Sequence, residues 1–262
     1  MYKGIDHIAL AVEDIEQSAN FFQKVFQLDL VMGLSHPADG VHTNLVFSFG
    51  PKNELELMGP LGDKGFLNSF LKKHGPGVHH LALEVTDIDE ATRKLEDNGV
   101  EVFGTVGEKG MRFTFLHPRS TLRMGMQLMQ RNPQTMAYDP LVKGIDHVAV
   151  RVADGAQGRD FFLNKLGAEF IAAKKDPALG CRCDRFAVGE AYFHALYAFS
   201  TSSFVSGTEG LHHIGVKVDD LEEVLSHLKK FGILPLNECS TKTSVFLPPE
   251  KMNGCLWRLV QV

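Results

Sequence analysis

Residues 4–12 read GIDHIALAV, and the chain carries three further versions of this stretch. They are GVHHLALEV from Gly77, GIDHVAVRV from Gly144 and GLHHIGVKV from Gly210. In each version a histidine stands just before an alternating apolar run, which predicts a β-strand. Four copies of one histidine-bearing strand indicate an internal structural repeat.

A helix start follows three of these strands. Asp14, Asp87 and Asp220 each precede a helical pattern with Gln or Glu at the third helical position, a variant of the capping box. The third copy is weaker, because ADGAQGRDFF places two glycines where the other copies have helix formers. Three further strand-like runs follow each helix, so the repeated unit is predicted to be βαβββ.

The predicted fold class is therefore α+β, with four βαβββ modules arranged as two domains. The predicted domains are residues 1–130 and residues 144–262. Between them, residues 131–143 read RNPQTMAYDPLVK, a polar stretch with two prolines that fits a linker. In each domain we expect two curved, mostly antiparallel sheets that face one another, with the helices outside.

Composition and charge narrow the class of function. Hydrophobic residues make up 44% of the chain and charged residues 23%, which supports packed cores. The net charge of −5 argues against nucleic-acid binding. No apolar run approaches the ~20 residues that span a bilayer, and the amino terminus lacks the apolar core of a signal peptide. We therefore expect a cytoplasmic protein without nucleic-acid or membrane partners.

Three segments resemble the vicinal oxygen chelate superfamily, which includes glyoxalases, methylmalonyl-CoA epimerases and extradiol dioxygenases. They are GIDHIALAVED, ELELMGPLGDKGFLNSFLKKHGPGVHHLALEV and FTFLHPRST. The resemblance covers nearly the whole chain and implies two glyoxalase-like domains. It is sharpest in residues 4–130, which look like a methylmalonyl-CoA epimerase, whereas the second half matches more loosely.

The resemblance implies a divalent metal site with ligands on the first and fourth strands of a module pair. Carried over, these are His7 and His80 on the first strands and Glu56 and Gln127 on the fourth. Strand alternation selects His80. Aligning DHIAL with HHLAL gives His80 the position of His7 and His79 the position of Asp6, whose side chain leaves the other face of the strand. Such a mixed N/O set suits Co, Ni, Mn, Fe(II) or Zn, and it leaves a position open for Lewis-acid catalysis.

Two positions depart from the epimerase pattern. Gln127 stands where most relatives carry a glutamate, and an amide cannot usefully accept a proton. Thr43 stands where the epimerases carry a further catalytic glutamate. Two-base epimerisation is therefore not expected, and Glu56 is the candidate catalytic base as well as a ligand. Glu54 lies on the same strand face and is predicted to be a solvated carboxylate at the strand edge.

The corresponding positions of the second half are His147, His213, His194 and Arg258. The first-strand histidines persist there, whereas the fourth-strand carboxylates do not. A guanidinium offers only donors and stays cationic, so Arg258 would repel a metal ion. We expect a degenerate metal site in residues 144–262, which serve as a structural mate for the first domain or bind an anion.

The leading function is a metal-dependent isomerase, epimerase or lyase that acts on a small oxygenated substrate, such as an acyl thioester, through a metal-stabilised enolate. One alternative is an extradiol-type Fe(II) dioxygenase, which would need an unusual ligand triad of His7, His80 and Glu56. Another is a non-catalytic small-molecule binding protein, which the missing bases favour. A monomer or a homodimer fits the four-module chain.

Overall fold

The computed structural model describes residues 1–35, 42–108, 110–132, 140–177, 179–198, 204–205, 207–237 and 239–262. The strands are β1 (Tyr2–Ala11), β2 (Leu30–Ser35), β3 (His42–Ser48), β4 (Glu54–Pro60), β5 (Gly77–Val85), β6 (Val102–Glu108), β7 (Met111–Leu116), β8 (Met126–Arg131), β9 (Ile145–Arg151), β10 (Glu169–Asp176), β11 (Cys181–Val188), β12 (Ala191–Ala198), β13 (Gly210–Val218), β14 (Ser244–Leu247) and β15 (Trp257–Gln261). The α-helices are α1 (Ile15–Val25), α2 (Phe66–His74), α3 (Ile88–Asp97), α4 (Gly155–Arg159) and α5 (Leu221–Lys229). Within the described ranges, no helix has the length and apolar character to cross a membrane.

The four histidine-bearing strands occupy the centres of two sheets. The first sheet has the order β2-β3-β4-β1-β5-β8-β7-β6, and the second has the order β10-β11-β12-β9-β13-β15-β14. The pairs β1–β4, β5–β8 and β9–β12 are parallel, while the hairpins at the sheet edges are antiparallel. This topology confirms the α+β prediction of repeated modules grouped in two glyoxalase-like domains.

The chain forms two compact units, and each gathers segments from both halves of the sequence. The His7 unit consists of His7–His80, Thr135–Ile145 and Gly215–Val262. The His147 unit consists of Met1–Asp6, Leu81–Gln134 and Asp146–Ile214. The proposed division at residues 130 and 144 stays a prediction, and residues 133–139 of the predicted linker lie outside the described ranges.

The predicted helix caps form as the sequence indicates. The Asp14 carboxylate accepts a hydrogen bond from the Gln17 backbone N–H at 2.9 Å, and Asp220 accepts from two N–H groups of the first turn of α5. Asp87 caps α3 in the same way. These bonds satisfy amides that have no partner within the helix itself, which fixes where each helix begins.

The helix of the third module has an α-helical part of only five residues. Its α-helical part ends at Arg159 and continues as a π-helix over Asp160–Lys165. A Cβ atom on Gly158 would lie 3.1 Å from the Cβ of Ala195 on β12. The glycine therefore lets this helix lie close to the sheet, at the expense of helical propensity.

Two features differ from the predicted modules. Helix α2 between β4 and β5 is an addition, and its Leu67 packs against Ala9 and Met58 on β1 and β4. In the described part of the fourth module, only two strands follow the helix, with an isolated bridge between Leu236 and Phe246 in place of a further strand. Pro235 precedes that bridge, and a proline has no N–H to donate to a ladder.

Candidate metal centre

Two imidazoles meet on neighbouring central strands of the His7 unit. His7 comes from β1 and His80 from β5, and both side chains are buried. Their Nε2 atoms lie 3.2 Å apart, with the rings nearly perpendicular at 81°. Ligands that bind one ion at about 2.1 Å stand about 3 Å apart when the angle between them is near 90°. The pair therefore has a separation suited to shared coordination.

A carboxylate joins the two histidines from β4. The parallel register of β1 and β4 places Glu56 opposite Ala9, two residues beyond His7 and on the same face. Glu56 Oε2 lies 3.4 Å from His7 Nε2 and 3.8 Å from His80 Nε2. The ligand atoms of all three lie within 4.8 Å of one another. With its side chain 13% exposed, Glu56 is the member of this triad most open to solvent.

Asn44 orients the carboxylate of Glu56. Its Nδ2 donates a hydrogen bond of 2.6 Å to Glu56 Oε1, so the other oxygen is the one near the imidazoles. Asn44 lies on β3 opposite Met58, while Val46 lies opposite Glu56. Asn44 and Glu56 therefore point to the same face, and Thr43 points to the other. Asn44 was not predicted from the sequence, where Thr43 was assigned to this position, although strand alternation could have identified it.

Burial keeps the imidazole of His80 neutral. Desolvation, with the neighbouring His7 and His79, holds the pKa of His80 well below its usual range. Burial and the neighbouring His42 lower the pKa of His79 to about 4. A neutral imidazole is the form that binds a metal ion. The imidazole of His80 therefore has little competition from protons near neutral pH.

His79 contacts the imidazole of His80. Its Nδ1 lies 3.0 Å from the Nδ1 of His80, so a hydrogen bond joins these two ring nitrogens. Phe66 and Phe70 of α2 pack against the His79 ring at centroid distances of 5.6 and 5.0 Å. The choice of His80 as the ligand stays a prediction, and α2 packs against the neighbouring His79.

The prediction for Glu54 was wrong. Its side chain is only 3% exposed, and it lies opposite His7 in the register of β1 and β4. His42 is likewise buried, with its ring 5.1 Å from that of Phe66. Phe66 lies on α2, a helix that was not predicted from the sequence.

Gln127 occupies the equivalent place in the second module. It lies opposite Ala82, two residues beyond His80, as Glu56 lies opposite Ala9. Its Oε1 atom is buried and has no hydrogen-bond partner among the described residues. An unsatisfied buried oxygen is costly, and a bound cation would offset that cost. Gln127 belongs to the His147 unit, so its role as a fourth ligand stays a prediction.

In the described residues of the His147 unit, the histidine arrangement is repeated with His194 in place of the fourth-strand carboxylate. The Nε2 atoms of His147 and His213 lie 3.0 Å apart, and the His194 ring stacks on His147 at 4.0 Å. His194 lies opposite Ala149, the register position that Glu56 has opposite Ala9. Arg258 belongs to the His7 unit, where it donates to Ser244 Oγ at 3.0 Å and lies over the Phe246 ring.

Two family models match the chain. One covers residues 6–115 and the other covers residues 144–243, and both are described as the Glyoxalase/Bleomycin resistance protein/Dioxygenase superfamily. The solved structure of a mutant 4-hydroxymandelate synthase from Streptomyces coelicolor aligns with a TM-score of 0.75 at 14% identity, over 99% of this chain and 92% of that one. At that identity the likeness shows the fold alone.

Curated relatives match close to half of the chain, in its N-terminal part. The mitochondrial methylmalonyl-CoA epimerase of Dictyostelium discoideum is 33% identical over 120 residues, which are 44% of this chain and 71% of that protein. The bovine methylmalonyl-CoA epimerase is 30% identical, with 66% of its length covered. The uncharacterized protein YqjC of Bacillus subtilis is also 30% identical, over 45% of this chain and 84% of its own.

Proposed function

The chain belongs to the Glyoxalase/Bleomycin resistance protein/Dioxygenase superfamily, and on that premise we propose that it is a metal-dependent isomerase, epimerase or lyase of the glyoxalase type. Its substrate would be a small oxygenated molecule, such as an acyl thioester, that reacts through an enolate. The observation that supports this proposal is the buried convergence of His7, His80 and Glu56.

These three residues, with Gln127 as a predicted fourth ligand, would hold a divalent ion such as Co, Ni, Mn, Fe or Zn. When bound, the ion supplies positive charge that stabilises an enolate oxygen. The two imidazoles contribute neutral donors, and Glu56 contributes the one negative charge of the triad. That mixture of nitrogen and oxygen donors fits the borderline divalent metals.

Glu56 is the group best placed to move a proton. Asn44 holds its Oε1 atom, so the carboxylate presents Oε2 toward the imidazoles in a fixed orientation. A base must be positioned within hydrogen-bond reach of the proton that it removes, and the exposed side of Glu56 gives a substrate access. We assign Glu56 both roles, as metal ligand and as base.

Apart from the buried carboxylate of Glu54, which lies near His7, the residues around Glu56 favour a one-base reaction. Epimerisation needs protonation on the face opposite to the one that lost its proton, which usually takes a second acid. Asn44, rather than Thr43, is the residue of β3 that faces Glu56, and Gln127 stands at the predicted fourth-ligand position; neither amide titrates usefully near neutral pH. We therefore propose that a proton is removed from the carbon next to the thioester carbonyl, which leads to hydrogen exchange, isomerisation or elimination. A methylmalonyl thioester is the first substrate to test, because the named relatives are methylmalonyl-CoA epimerases.

Metal content is the first experiment. The protein is purified without chelator, and divalent metals are counted by elemental analysis in wild type, His7→Ala and Glu56→Ala. Each variant is expected to hold one ion per chain fewer than wild type, while His74→Gln, which removes an exposed imidazole on α2, keeps the wild-type content. No ion in wild type, even after adding Co, Mn, Ni or Fe(II), would support the binding-protein alternative instead.

The reaction itself is tested by hydrogen exchange. Wild type and variants are incubated with methylmalonyl-CoA in D₂O, and loss of the α-proton signal is followed by NMR. Exchange is expected in wild type, and it should fall at least 100-fold in Glu56→Ala, the lower range for losing a positioned base. Equal exchange in wild type and Glu56→Ala would exclude Glu56 as the base.

One observation favours a second function. Two imidazoles and one carboxylate with open positions are the ligand set of non-haem Fe(II) oxygenases, and His7, His80 and Glu56 supply such a set. The extradiol alternative therefore needs its own test, in which anaerobically Fe(II)-loaded protein is mixed with catechols and oxygen uptake is recorded. Uptake that depends on the catechol and is absent from Glu56→Ala would favour a dioxygenase over the enolate chemistry.

A further inference from the structure

The His147 unit has a guanidinium and an imidazole at positions where the His7 unit has a valine and a carboxylate. On the neighbouring strands β11 and β12, Arg185 lies opposite His194. The equivalent positions of β3 and β4 hold Val46 opposite Glu56, since His194 and Glu56 each lie opposite the alanine two residues beyond a first-strand histidine. This exchange turns a pair of positions that favours a cation into one that favours an anion.

The guanidinium of Arg185 lacks a compensating negative charge among the described residues. Its Nε atom is buried and has no hydrogen-bond partner there. No carboxylate within the same ranges forms an ion pair with it, whereas Arg159 pairs with Asp184 at 2.8 Å. A guanidinium stays protonated in proteins, and a charge removed from water without a counter-charge is unfavourable. The position is therefore suited to a bound anion.

Three acidic neighbours of Arg185 do not supply that charge. Burial raises the pKa of the Cys183 thiol to about 11, although Arg185 hydrogen-bonds to it, so the sulfur stays neutral at physiological pH. Asp184 leaves strand β11 on the opposite face. Asp176 on β10 accepts a hydrogen bond from the Leu179 N–H at 3.0 Å. None of these three groups forms an ion pair with Arg185, which leaves its charge to an external ligand.

We propose that Arg185 binds the carboxylate group of a small organic acid. The planar fork of a guanidinium matches the two oxygens of a carboxylate, and its single positive charge balances a single negative one. Ala172, Ala187 and Leu196 lie around Arg185 on the same face, and these apolar side chains suit the hydrocarbon part of such an acid. Arg185 remains partly exposed, which gives a small ligand access to the terminal nitrogens.

The first experiment observes Arg185 directly in the full-length protein. The protein is labelled with ¹⁵N-arginine, stripped of metal with chelator and desalted, so that an acid cannot bind through a metal ion. Sodium propionate is then titrated at constant ionic strength, and the Nε–H signal of Arg185 is identified by its loss in Arg185→Lys. A saturable shift of this signal is expected. No saturable shift would overturn the proposal.

Calorimetric titration with propionate compares two variants that lose the same charge. Arg185→Gln is expected to bind at least about 10-fold more weakly than wild type, because it loses a charge-assisted pair. Arg182→Gln is the matched control, since Arg182 is exposed on the other face of the same strand, and it should keep the wild-type affinity. Equal weakening in both variants, or tighter binding of inorganic phosphate than of propionate, would overturn the proposal.

Thermal unfolding separates a binding role of Arg185 from a structural one. Without propionate, Arg185→Gln should unfold at no lower temperature than Arg182→Gln, because it removes a cation that lacks a counter-charge. Propionate should raise the unfolding temperature of wild type and of Arg182→Gln, but not that of Arg185→Gln. A variant that loses stability or fails to fold without the acid would show a structural role and overturn the proposal. The inference is independent of the His7 site, because every protein in these tests is free of metal.

Discussion

At the scale of single residues, the candidate site of the His7 unit depends on the neutral side chain of Asn44, which orients the charged side chain of Glu56. Glu56 could turn either oxygen toward the imidazoles, and the 2.6 Å hydrogen bond from Asn44 selects one of them. Groups that orient a ligand commonly change metal affinity 10–100-fold when they are removed. Asn44 is therefore a positioning residue whose effect should be seen in metal binding.

The variant Asn44→Ala tests that role. We expect the affinity of the His7 site for Co²⁺ to fall about 10-fold, because Glu56 loses its fixed orientation and the donor to Oε1. Competition with a chromophoric chelator measures this affinity. Thr43→Ala is the matched control, since its side chain leaves the same strand on the opposite face. An equal loss in both variants would mean a general loosening of β3 and would contradict the specific role.

At the scale of elements, one register rule places the fourth-strand candidates. In the pairs β1–β4, β5–β8 and β9–β12, the residue two positions beyond the histidine is an alanine, and it lies opposite the candidate ligand. Those candidates are Glu56, Gln127 and His194. A parallel pair with fixed register keeps the histidine and its partner on one face, so the repeat reproduces the geometry while the ligand type varies.

Helix α2 is the element that the modules do not share. Its Leu67 is fully buried against Ala9, Ala11 and Met58, which lie on the same face as the ligands of β1 and β4. Leu67→Ala is expected to reduce the free energy of unfolding by about 2–5 kcal/mol through the lost contacts and the cavity. Urea denaturation measures the change.

The control for Leu67→Ala is Ser69→Ala, which alters an exposed position of the same helix. It should change the free energy of unfolding by no more than about 0.5 kcal/mol. If the two variants lose the same amount, α2 contributes through its own helical stability rather than through packing on the ligand-bearing strands.

At the scale of the whole molecule, each unit is completed by residues from the far end of the chain. Trp257 on β15 packs against Phe22, Phe26 and Phe49 at centroid distances of 6.3, 5.8 and 5.6 Å. All four aromatic side chains are fully buried. The last strand therefore helps to stabilise helix α1, which follows the first histidine-bearing strand.

Two substitutions of Trp257 distinguish how much its side-chain volume and its indole N–H each contribute to the free energy of unfolding. Trp257→Ala is expected to lower the free energy of unfolding by about 3–5 kcal/mol. Trp257→Phe should cost less than half of that, because it fills much of the space and removes an indole N–H that has no hydrogen bond within the described structure. Thermal and urea unfolding of both variants give the comparison. Equal losses would show that the indole is required for more than its volume.

Metal binding should also stabilise the folded molecule. A ligand that binds only the native state at 100 times its dissociation constant adds about 2.7 kcal/mol per site. We expect Co²⁺ to raise the unfolding temperature of wild type, and chelator to reverse the rise. His7→Ala should show a smaller shift, and an identical shift in both proteins would contradict coordination by His7.

The sequence by itself determined the repeated strands, the capped helices and the candidate ligands His7, His80, Glu56 and Gln127. These are local properties: strand alternation, caps and repeat position depend on residues that are neighbours in the chain. Membership in the superfamily followed from the same motifs.

Only the tertiary structure decided which side chains are covered and which atoms meet. The burial of Glu54 and the hydrogen bond from Asn44 to Glu56 both depend on contacts between separate segments. Such contacts arise when packing brings distant strands and loops together. A local pattern shows which way a side chain points along its strand, but packing determines what it touches.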